Sequence, residues 1–210
     1  MEDEKGLNLN IKVLVVDDLK ERREELKLIL NSVTTDIYEA DNGAAAVLAA
    51  EEHKPDIIFM DIKMPSMDGI TACKKIMEKM PVPIIFLTAG AGAGGLEDYD
   101  YYVESLRGSG AFSYITKPAK KSEILAQTII AIENFKKFQD IKKENENLKQ
   151  YIEGRKLIGK AKNILMNKED ISEKEAHSRL QKLSMNSGRP IEEIARAIIL
   201  TDGNKIQNNF

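Results

Sequence analysis

Short apolar runs alternate with amphipathic, helix-length segments over the first part of the chain. A mostly apolar run such as residues 11–16 is typical of a strand buried on both faces of a sheet. Strand–helix alternation predicts right-handed crossovers, and therefore a doubly wound α/β fold with a five-stranded parallel sheet. The predicted strands are residues 11–16, 36–40, 56–60, 83–87 and 111–115, and the predicted helices are residues 20–31, 43–53, 68–79, 95–107 and a segment from 121 onward.

The residues that end these strands are polar or charged. Asp17 and Asp18 follow the first strand, Asp61 follows the third, Thr88 follows the fourth and Lys117 follows the fifth. Ligands of such folds bind outside the carboxyl ends of the strands, where the strand order reverses. We therefore expect these five side chains to meet at one rim of the sheet.

The chemistry of this set indicates phosphoryl transfer. Three carboxylates at one rim stay ionised together only if a cation neutralises them, and oxygen ligands at a phosphate-handling site favour Mg²⁺. A carboxylate beside the metal can attack phosphorus and form an acyl phosphate. Lys117 and the hydroxyl group of Thr88 would then share the charge of the transferred group. Acidic turns that meet by coincidence are the alternative.

Beyond residue 121 the pattern becomes continuously helical. Apolar positions recur at alternating spacings of three and four residues, as in the a/d seam of a coiled coil, and the polar Asn145 within the seam would set its register. A single amphipathic helix packed on its own domain is the alternative. Gly154 and Gly159 weaken a helix, so we expect a hinge there and assign residues 121–154 to a helical coiled-coil linker. The seam consists of Phe138, Ile141, Asn145, Leu148 and Ile152.

Residues 155–202 form three helical patterns and are predicted to be a three-helix, all-α module. Ser172 and Glu175 have the spacing of a capping box that opens the second helix. Pro190 is well placed as the first residue of the third helix. Ser184 is expected to end the second helix and Met185 to fill the core. This core is small for a domain that stands alone.

Charge is distributed unevenly. The segment 155–200 contains ten Lys or Arg residues and six acids, a net charge of +4, whereas residues 1–154 carry about −7 and the whole chain −3. A basic end on an acidic body suggests an anionic partner such as nucleic acid. The single cysteine, the polar start of the chain and the lack of a long apolar stretch predict a cytoplasmic protein that does not contact a membrane.

The strand-end residues resemble those of the receiver domains of two-component response regulators, which have a flavodoxin-like fold. The resemblance covers about residues 10–135, and we assign residues 10–120 to the receiver domain. Besides the five residues named above, it is carried by Met64, Pro65, Gly69, Ala89, Tyr114 and Pro118.

This resemblance implies a regulator and not an enzyme, with at most slow autodephosphorylation. It implies that Asp61 accepts a phosphoryl group from a sensor histidine kinase. Mg²⁺ would be bound by Asp18, Asp61 and the backbone carbonyl of Lys63, with Asp17 contributing through water. Thr88 and Tyr114 would act as the switch residues, and the bond from Lys117 to Pro118 would be cis.

The chain departs from the receiver pattern between Thr88 and Lys117, where it is several residues longer than is usual. The added length includes a glycine-rich insertion, residues 90–102. Its spacing matches G-x-G-x-x-G, but it follows the fourth strand, and no acid ends the next strand to bind a ribose. A mobile loop is therefore favoured over a dinucleotide site.

Residues 155–200 resemble the ANTAR domain of transcription antitermination regulators, and the arrangement is most similar to those of ethanolamine utilisation. The resemblance implies binding of nascent RNA at paired stem-loops, so that transcription continues past a terminator. The short seam predicts, in addition, a marginal homodimer that phosphorylation favours. The resemblance is carried by Ala161, Lys162, Ile164, Leu165, Met166, Glu175, Ala176, Leu180, Ser184, Met185, Arg189 and Ala195.

Basic side chains of this module are the candidate RNA contacts, because they can pair with phosphates while unpaired bases are read elsewhere. No aromatic residue lies between residues 155 and 200, so bases cannot stack on Phe or Tyr there. A DNA-binding helix-turn-helix output is the main alternative, and a receiver that acts only through protein partners is another. The candidate contacts are Lys162, Arg179, Lys182, Arg189 and Arg196.

Overall fold

The computed structural model describes residues 9–89 and 108–207, without the side chains of Ala89 and residues 203–207. The predicted helix 95–107 and the glycine-rich insertion 90–102 lie outside the described residues. The chain divides into two compact units, Met1–Gln139 and Asp140–Phe210. Among the described residues, no helix is long and apolar enough to cross a membrane.

The first unit contains a five-stranded sheet in the order β2-β1-β3-β4-β5, with every neighbouring pair parallel. This confirms the predicted doubly wound α/β fold. The elements are β1 (Lys12–Val16), α1 (Lys20–Leu30), β2 (Asp36–Ala40), α2 (Gly43–His53), β3 (Ile57–Asp61), α3 (Gly69–Lys79), β4 (Ile84–Ala89), β5 (Ser113–Lys117) and the first part of α4 (Lys121–Glu169).

The core of the first unit lies on both faces of the sheet, because successive side chains of a strand point to opposite faces. Leu14 and Val16 of β1 pack in a cluster that includes residues of α2 and α3. Val13 and Val15 pack in a second cluster, with residues of α1 and α4. The sheet is thus covered on both sides and offers its carboxyl-end rim as the place where polar side chains can gather.

Helix α4 is longer than the predicted linker and starts inside the first unit. Ile124 and Ala131 are buried in the cluster that contains Val13 and Ile115, and the ring of Phe112 meets that of Phe135 edge-on at 5.1 Å. Residues 121–139 therefore belong with the sheet, whereas the domain boundary predicted from the sequence was at residue 120. The amphipathic start of the helix covers apolar surface that the sheet would otherwise expose.

Helix α4 also runs unbroken through Gly154 and Gly159, so the predicted hinge is not formed. Gly154 is buried, and a Cβ atom there would lie 3.0 Å from Cγ of Glu192. The glycine therefore allows close packing between two helices of the second unit. This unit consists of the end of α4, α5 (Glu173–Ser187) and α6 (Ile191–Gln207).

The core of the second unit is small and rich in alanine. The start of α5 follows the predicted local chemistry, because Ser172 and Glu175 form the capping box. The expectation that Ser184 ends this helix is wrong, because α5 continues to Ser187; the hydroxyl group of Ser184 instead donates to a backbone carbonyl across the α5–α6 turn. The expectation that Met185 fills this core is wrong, because its side chain is 81% exposed. The buried members are Ala161, Leu165, Ala176, Leu180 and Ala195.

Candidate functional site

The reversal point of the sheet brings two acidic strand ends together. Strands β1 and β3 are neighbours, with Val16 paired to Met60, so Asp17 and Asp61 emerge side by side at the carboxyl edge. Both residues are buried. Asp18 adds a third carboxylate, and one oxygen from each of the three lies within 4.8 Å of the others.

The loop after Asp61 is held tightly against that residue. A Cβ atom on Gly69 would lie 2.1 Å from the carbonyl oxygen of Asp61, so only glycine fits at the start of α3. The amide of Gly69 donates to the carbonyl of Ile62 (2.9 Å), and Asp68 caps α3. This packing fixes the backbone that carries Asp61.

Lys117 links the two buried carboxylates. Its Nζ atom donates to Oδ2 of Asp17 (2.7 Å) and to Oδ1 of Asp61 (2.9 Å). The lysine ends β5, and the following bond to Pro118 is cis, as expected. Charge-assisted hydrogen bonds of this kind are stronger than neutral ones, so Lys117 holds both carboxylates in a defined orientation.

Arg22 is a second cation at this site and was not predicted from the sequence. Its Nη1 atom lies 3.8 Å from Oδ1 of Asp17 and 3.8 Å from Oδ2 of Asp61. The residue lies in the first turn of α1, four positions after Asp18, and this turn rises directly from the rim. That spacing was a usable signal, since a basic residue one helical turn beyond an acidic strand end can reach back to it.

Burial dominates the electrostatics of Asp61. Loss of hydration raises the pKa of its carboxyl group above the usual value, and the neighbouring Asp17 acts in the same direction. Lys117, and more weakly Arg22, lower this pKa but do not cancel the effect of burial. The pocket therefore favours additional positive charge, as a site for a divalent cation would.

A cavity of about 260 Å³ opens above these residues. Its potential metal ligands include carboxylate oxygens, which suit a hard cation such as Mg²⁺. The cavity is several times larger than the ~30 Å³ that one water molecule occupies in the liquid. Tyr114 is half-exposed on β5 and is not among the lining residues. The lining residues are Asp18, Leu19, Arg22, Asp61, Ile62, Lys63, Thr88 and Lys117.

Comparison with known families accounts for this pocket and for the helical unit. The response regulator receiver domain matches residues 13–129, and the ANTAR domain matches residues 146–199. The chain belongs to the response regulators. It is a regulator with a receiver domain and an RNA-binding ANTAR output domain, as the sequence predicted.

Relatives match the chain both in whole and in part. The transcriptional regulatory protein PdtaR of Mycobacterium tuberculosis is 32% identical over 193 residues, 91% of each chain. The response regulator domain of Thermotoga maritima CheB has 37% identity and a TM-score of 0.50, covering 59% of this chain and 97% of that one. The receiver domain of a sensor histidine kinase from Pseudomonas aeruginosa, with a magnesium ion coordinated in its active site cleft, has 28% identity and a TM-score of 0.51, covering 59% and 98%.

The structure divides the five candidate RNA contacts into two groups. Lys162 forms an ion pair with Glu173 (2.5 Å), and Arg179 forms one with Glu169 (2.6 Å). Within the described part of the chain, no ion pair involves the remaining three candidates. These residues, which have their charge available for a ligand, are Lys182, Arg189 and Arg196.

An aromatic residue of the second unit was also not predicted as part of the RNA-binding surface. Tyr151 lies just before the aromatic-free segment and is largely exposed on α4, with the guanidinium of Arg155 5.8 Å from its ring centre. It lines a groove of about 420 Å³ that also includes Gln150 and Arg196. An aromatic ring therefore does lie on the second unit, four positions before the segment 155–200.

Proposed function

We propose that this response regulator is phosphorylated on Asp61 by a sensor histidine kinase and that phosphorylation controls RNA binding by the ANTAR domain. The observation that carries the proposal is the position of Asp61. It is a buried carboxylate at the reversal point of the sheet, hydrogen-bonded to Lys117 and next to two further carboxylates.

The proposed chemistry assigns a role to each residue around the cavity. A carboxylate oxygen of Asp61 attacks the phosphorus of a phosphohistidine, forming the O–P bond as the N–P bond breaks and the imidazole leaves. Lys117 and the hydroxyl group of Thr88 contact the oxygens of the transferred group. Asp17, Asp18, Asp61 and the carbonyl of Lys63 would hold Mg²⁺, which supplies positive charge for the phosphoryl oxygens. Tyr114 is proposed to change orientation with Thr88, and hydrolysis of the acyl phosphate is proposed to be slow.

Labelling with a phosphodonor tests the acceptor residue. Asp61→Asn should abolish incorporation of phosphate from acetyl phosphate, because the amide cannot form the acyl phosphate. Asp41→Asn is a matched control, since Asp41 follows β2 at the same edge but does not belong to the carboxylate cluster. Full labelling of Asp61→Asn, or loss of labelling in Asp41→Asn, would contradict the assignment.

The RNA-binding surface is proposed to include Lys182, Arg189 and Arg196, with Tyr151 as a stacking surface for an unpaired base. Free cationic side chains bind phosphates, and unpaired RNA bases stack on aromatic rings. The proposed targets are paired stem-loops of a nascent leader transcript, whose binding favours transcription through a terminator. The ethanolamine-utilisation assignment stays a prediction.

A binding assay separates this role from DNA recognition. Phosphorylated protein should bind a leader RNA with two stem-loops more tightly than a duplex DNA of equal length and charge. Tyr151→Ala should weaken RNA binding, whereas Tyr151→Phe should retain it because the ring remains. Equal affinity for both nucleic acids would favour a DNA-binding output.

Dimerisation through α4 is proposed as the link between phosphorylation and RNA binding. Ile141, Leu148 and Ile152 of the predicted seam are exposed apolar residues, whereas the ring of Phe138 meets that of Phe112 at 6.2 Å within the first unit. A short seam makes a marginal dimer, which 1–3 kcal/mol of coupling can bias. The two ANTAR domains of a dimer could then bind two hairpins of one RNA, and binding of the first would raise the effective concentration for the second.

Sedimentation with and without beryllofluoride, which replaces the phosphoryl group, tests this link. Beryllofluoride should shift the protein towards dimer, and Leu148→Asp should prevent the shift while leaving labelling of Asp61 intact. Leu28→Asp is the control, because Leu28 is an exposed leucine of α1 outside the seam. A protein that is equally dimeric in both states would exclude this mechanism.

A further inference from the structure

The two buried carboxylates of the pocket are each shared between two cations. Lys117 binds Oδ2 of Asp17 and Oδ1 of Asp61 at hydrogen-bond distance. Arg22 faces the other oxygen of each pair, at 3.8 Å. In Asp17 and Asp61, the oxygens that Lys117 does not bind are therefore those that Arg22 approaches. Oδ1 of Asp17 also accepts a hydrogen bond from the amide of Leu19 (3.0 Å), so Oδ2 of Asp61 is the oxygen of this pair most available to a metal.

A divalent cation bound to Asp61 would be repelled by Arg22 in its present position. Mg²⁺ binds its oxygen ligands at ~2.1 Å. An ion on Oδ2 of Asp61 would thus lie within about 6 Å of Nη1 of Arg22 as it is now placed. Like charges at this distance in a partly buried pocket repel each other strongly.

Arg22 is also the cation that can move. Its side chain is 45% exposed, and among the residues that the structure describes its ion pairs are the two long ones given above. The adjacent Arg23 is 13% exposed, donates to the carbonyl of Asp17 (2.7 Å) and pairs with Glu39 (3.0 Å). Lys117 is likewise held by two short hydrogen bonds.

We infer that Arg22 acts as a substitute cation in the metal-free pocket and that Mg²⁺ must displace it to bind. This inference rests on the magnesium site in the proposed function. It assigns Arg22 a regulatory role: Arg22 stabilises the carboxylate cluster without metal and raises the Mg²⁺ concentration that phosphorylation requires. Since coupling between two ligands of one site is reciprocal, each cation weakens the binding of the other.

Calorimetric titration of the full chain with Mg²⁺ tests the inference directly. Arg22→Gln should bind Mg²⁺ about fivefold or more tightly than the unmodified protein, which is the lower end of typical coupling. Arg22→Lys, which keeps the charge, should show a smaller change. Lys20→Gln is the matched control, because this exposed residue of the same helical turn forms an ion pair with Glu24 and none with the carboxylate cluster in the described part of the chain. Equal tightening in Lys20→Gln would show a general effect of surface charge and overturn the inference.

Thermal unfolding supplies a second readout that does not depend on phosphorylation. Arg22→Gln should lower the melting temperature in the presence of a chelator, because the carboxylates lose a neighbouring cation, and the difference should disappear at saturating Mg²⁺. A deficit that persists at saturating Mg²⁺ would mean that Arg22 has a purely structural role. No Mg²⁺ binding by the unmodified protein would refute the metal site itself, whereas normal binding that is unaffected by Arg22→Gln would refute only this inference.

Discussion

The two units of the chain handle charge in opposite ways. In the first unit, Asp17 and Asp61 are buried at the sheet edge and receive short hydrogen bonds from Lys117. In the second unit, the charged side chains lie on the outside of a small core in which three of the five buried residues are alanine. The receiver site therefore depends on the whole fold, whereas the proposed RNA-binding surface depends on which exposed charges have no ion pair among the described residues.

This difference explains why geometry is more informative in one unit than in the other. A buried charge requires partners, so the neighbours of Asp61 can be interpreted one by one. An exposed ion pair contributes little to stability. Its main consequence here is that it neutralises a basic side chain that could otherwise bind a phosphate group. Contact with Glu173 thus distinguishes Lys162 from Lys182, although the sequence presents both as equivalent basic residues.

The largest expected effect comes from truncating one core leucine in each unit. Leu180→Ala and Leu14→Ala each remove a fully buried side chain and should cost about 2–5 kcal/mol. The second unit has a small core and is expected to unfold when its free energy of unfolding falls by this amount. Leu180→Ala should therefore lose helicity and RNA binding, while phosphate labelling of Asp61 remains. Leu14→Ala should stay folded at room temperature because the sheet has a larger core.

Cys73 provides the measurement for the first unit. Its thiol is fully buried on α3, and burial raises its pKa to about 12, so it should react with a thiol reagent only when this unit opens. The labelling rate should rise in Leu14→Ala and stay unchanged in Leu180→Ala. A similar increase in both variants would show that the two units unfold together.

A smaller effect should separate the paired from the unpaired basic residues. The double substitution of Lys182 and Arg189 by alanine should weaken RNA binding and reduce the slope of log affinity against log salt, by about 1 for each phosphate that is no longer neutralised. The same substitution of Lys162 and Arg179 should change the slope less, because Glu173 and Glu169 already neutralise them. Equal slopes for the two double variants would remove the distinction.

The smallest expected effect concerns the two glycines of α4. Gly159→Ala should stabilise the second unit by about 0.5–1 kcal/mol, since alanine suits a helix interior better than glycine. Beyond the adjacent backbone of its own helix, no described atom lies within 4 Å of the added methyl group. Gly154→Ala should gain less or destabilise, because its methyl group would press on Glu192 at 3.0 Å. Urea unfolding of both variants measures the difference, and equal gains would show that the packing at Gly154 is loose.

Local sequence patterns were sufficient for the sheet and for most of the candidate phosphorylation site. The parallel strands follow from β-branched apolar runs, and the chemistry of the rim follows from which residues end those strands. The sequence patterns did not predict which side chains of a helix face the pocket. Arg22 was missed although it lies only four residues beyond Asp18, because reach across a pocket depends on how α1 leaves the sheet.

The sequence by itself determined the order of elements, the acidic strand ends, the capping box at Ser172 and the excess of positive charge in the last module. Each depends on neighbours close in the chain or on residue type. Only the tertiary structure decided that Gly154 accommodates Glu192 instead of forming a hinge and that Met185 points to solvent. It also decided that Lys162 forms an ion pair, whereas Lys182 forms none with the described residues. The physical reason is that such outcomes depend on contacts between residues distant in the chain, which no periodicity encodes.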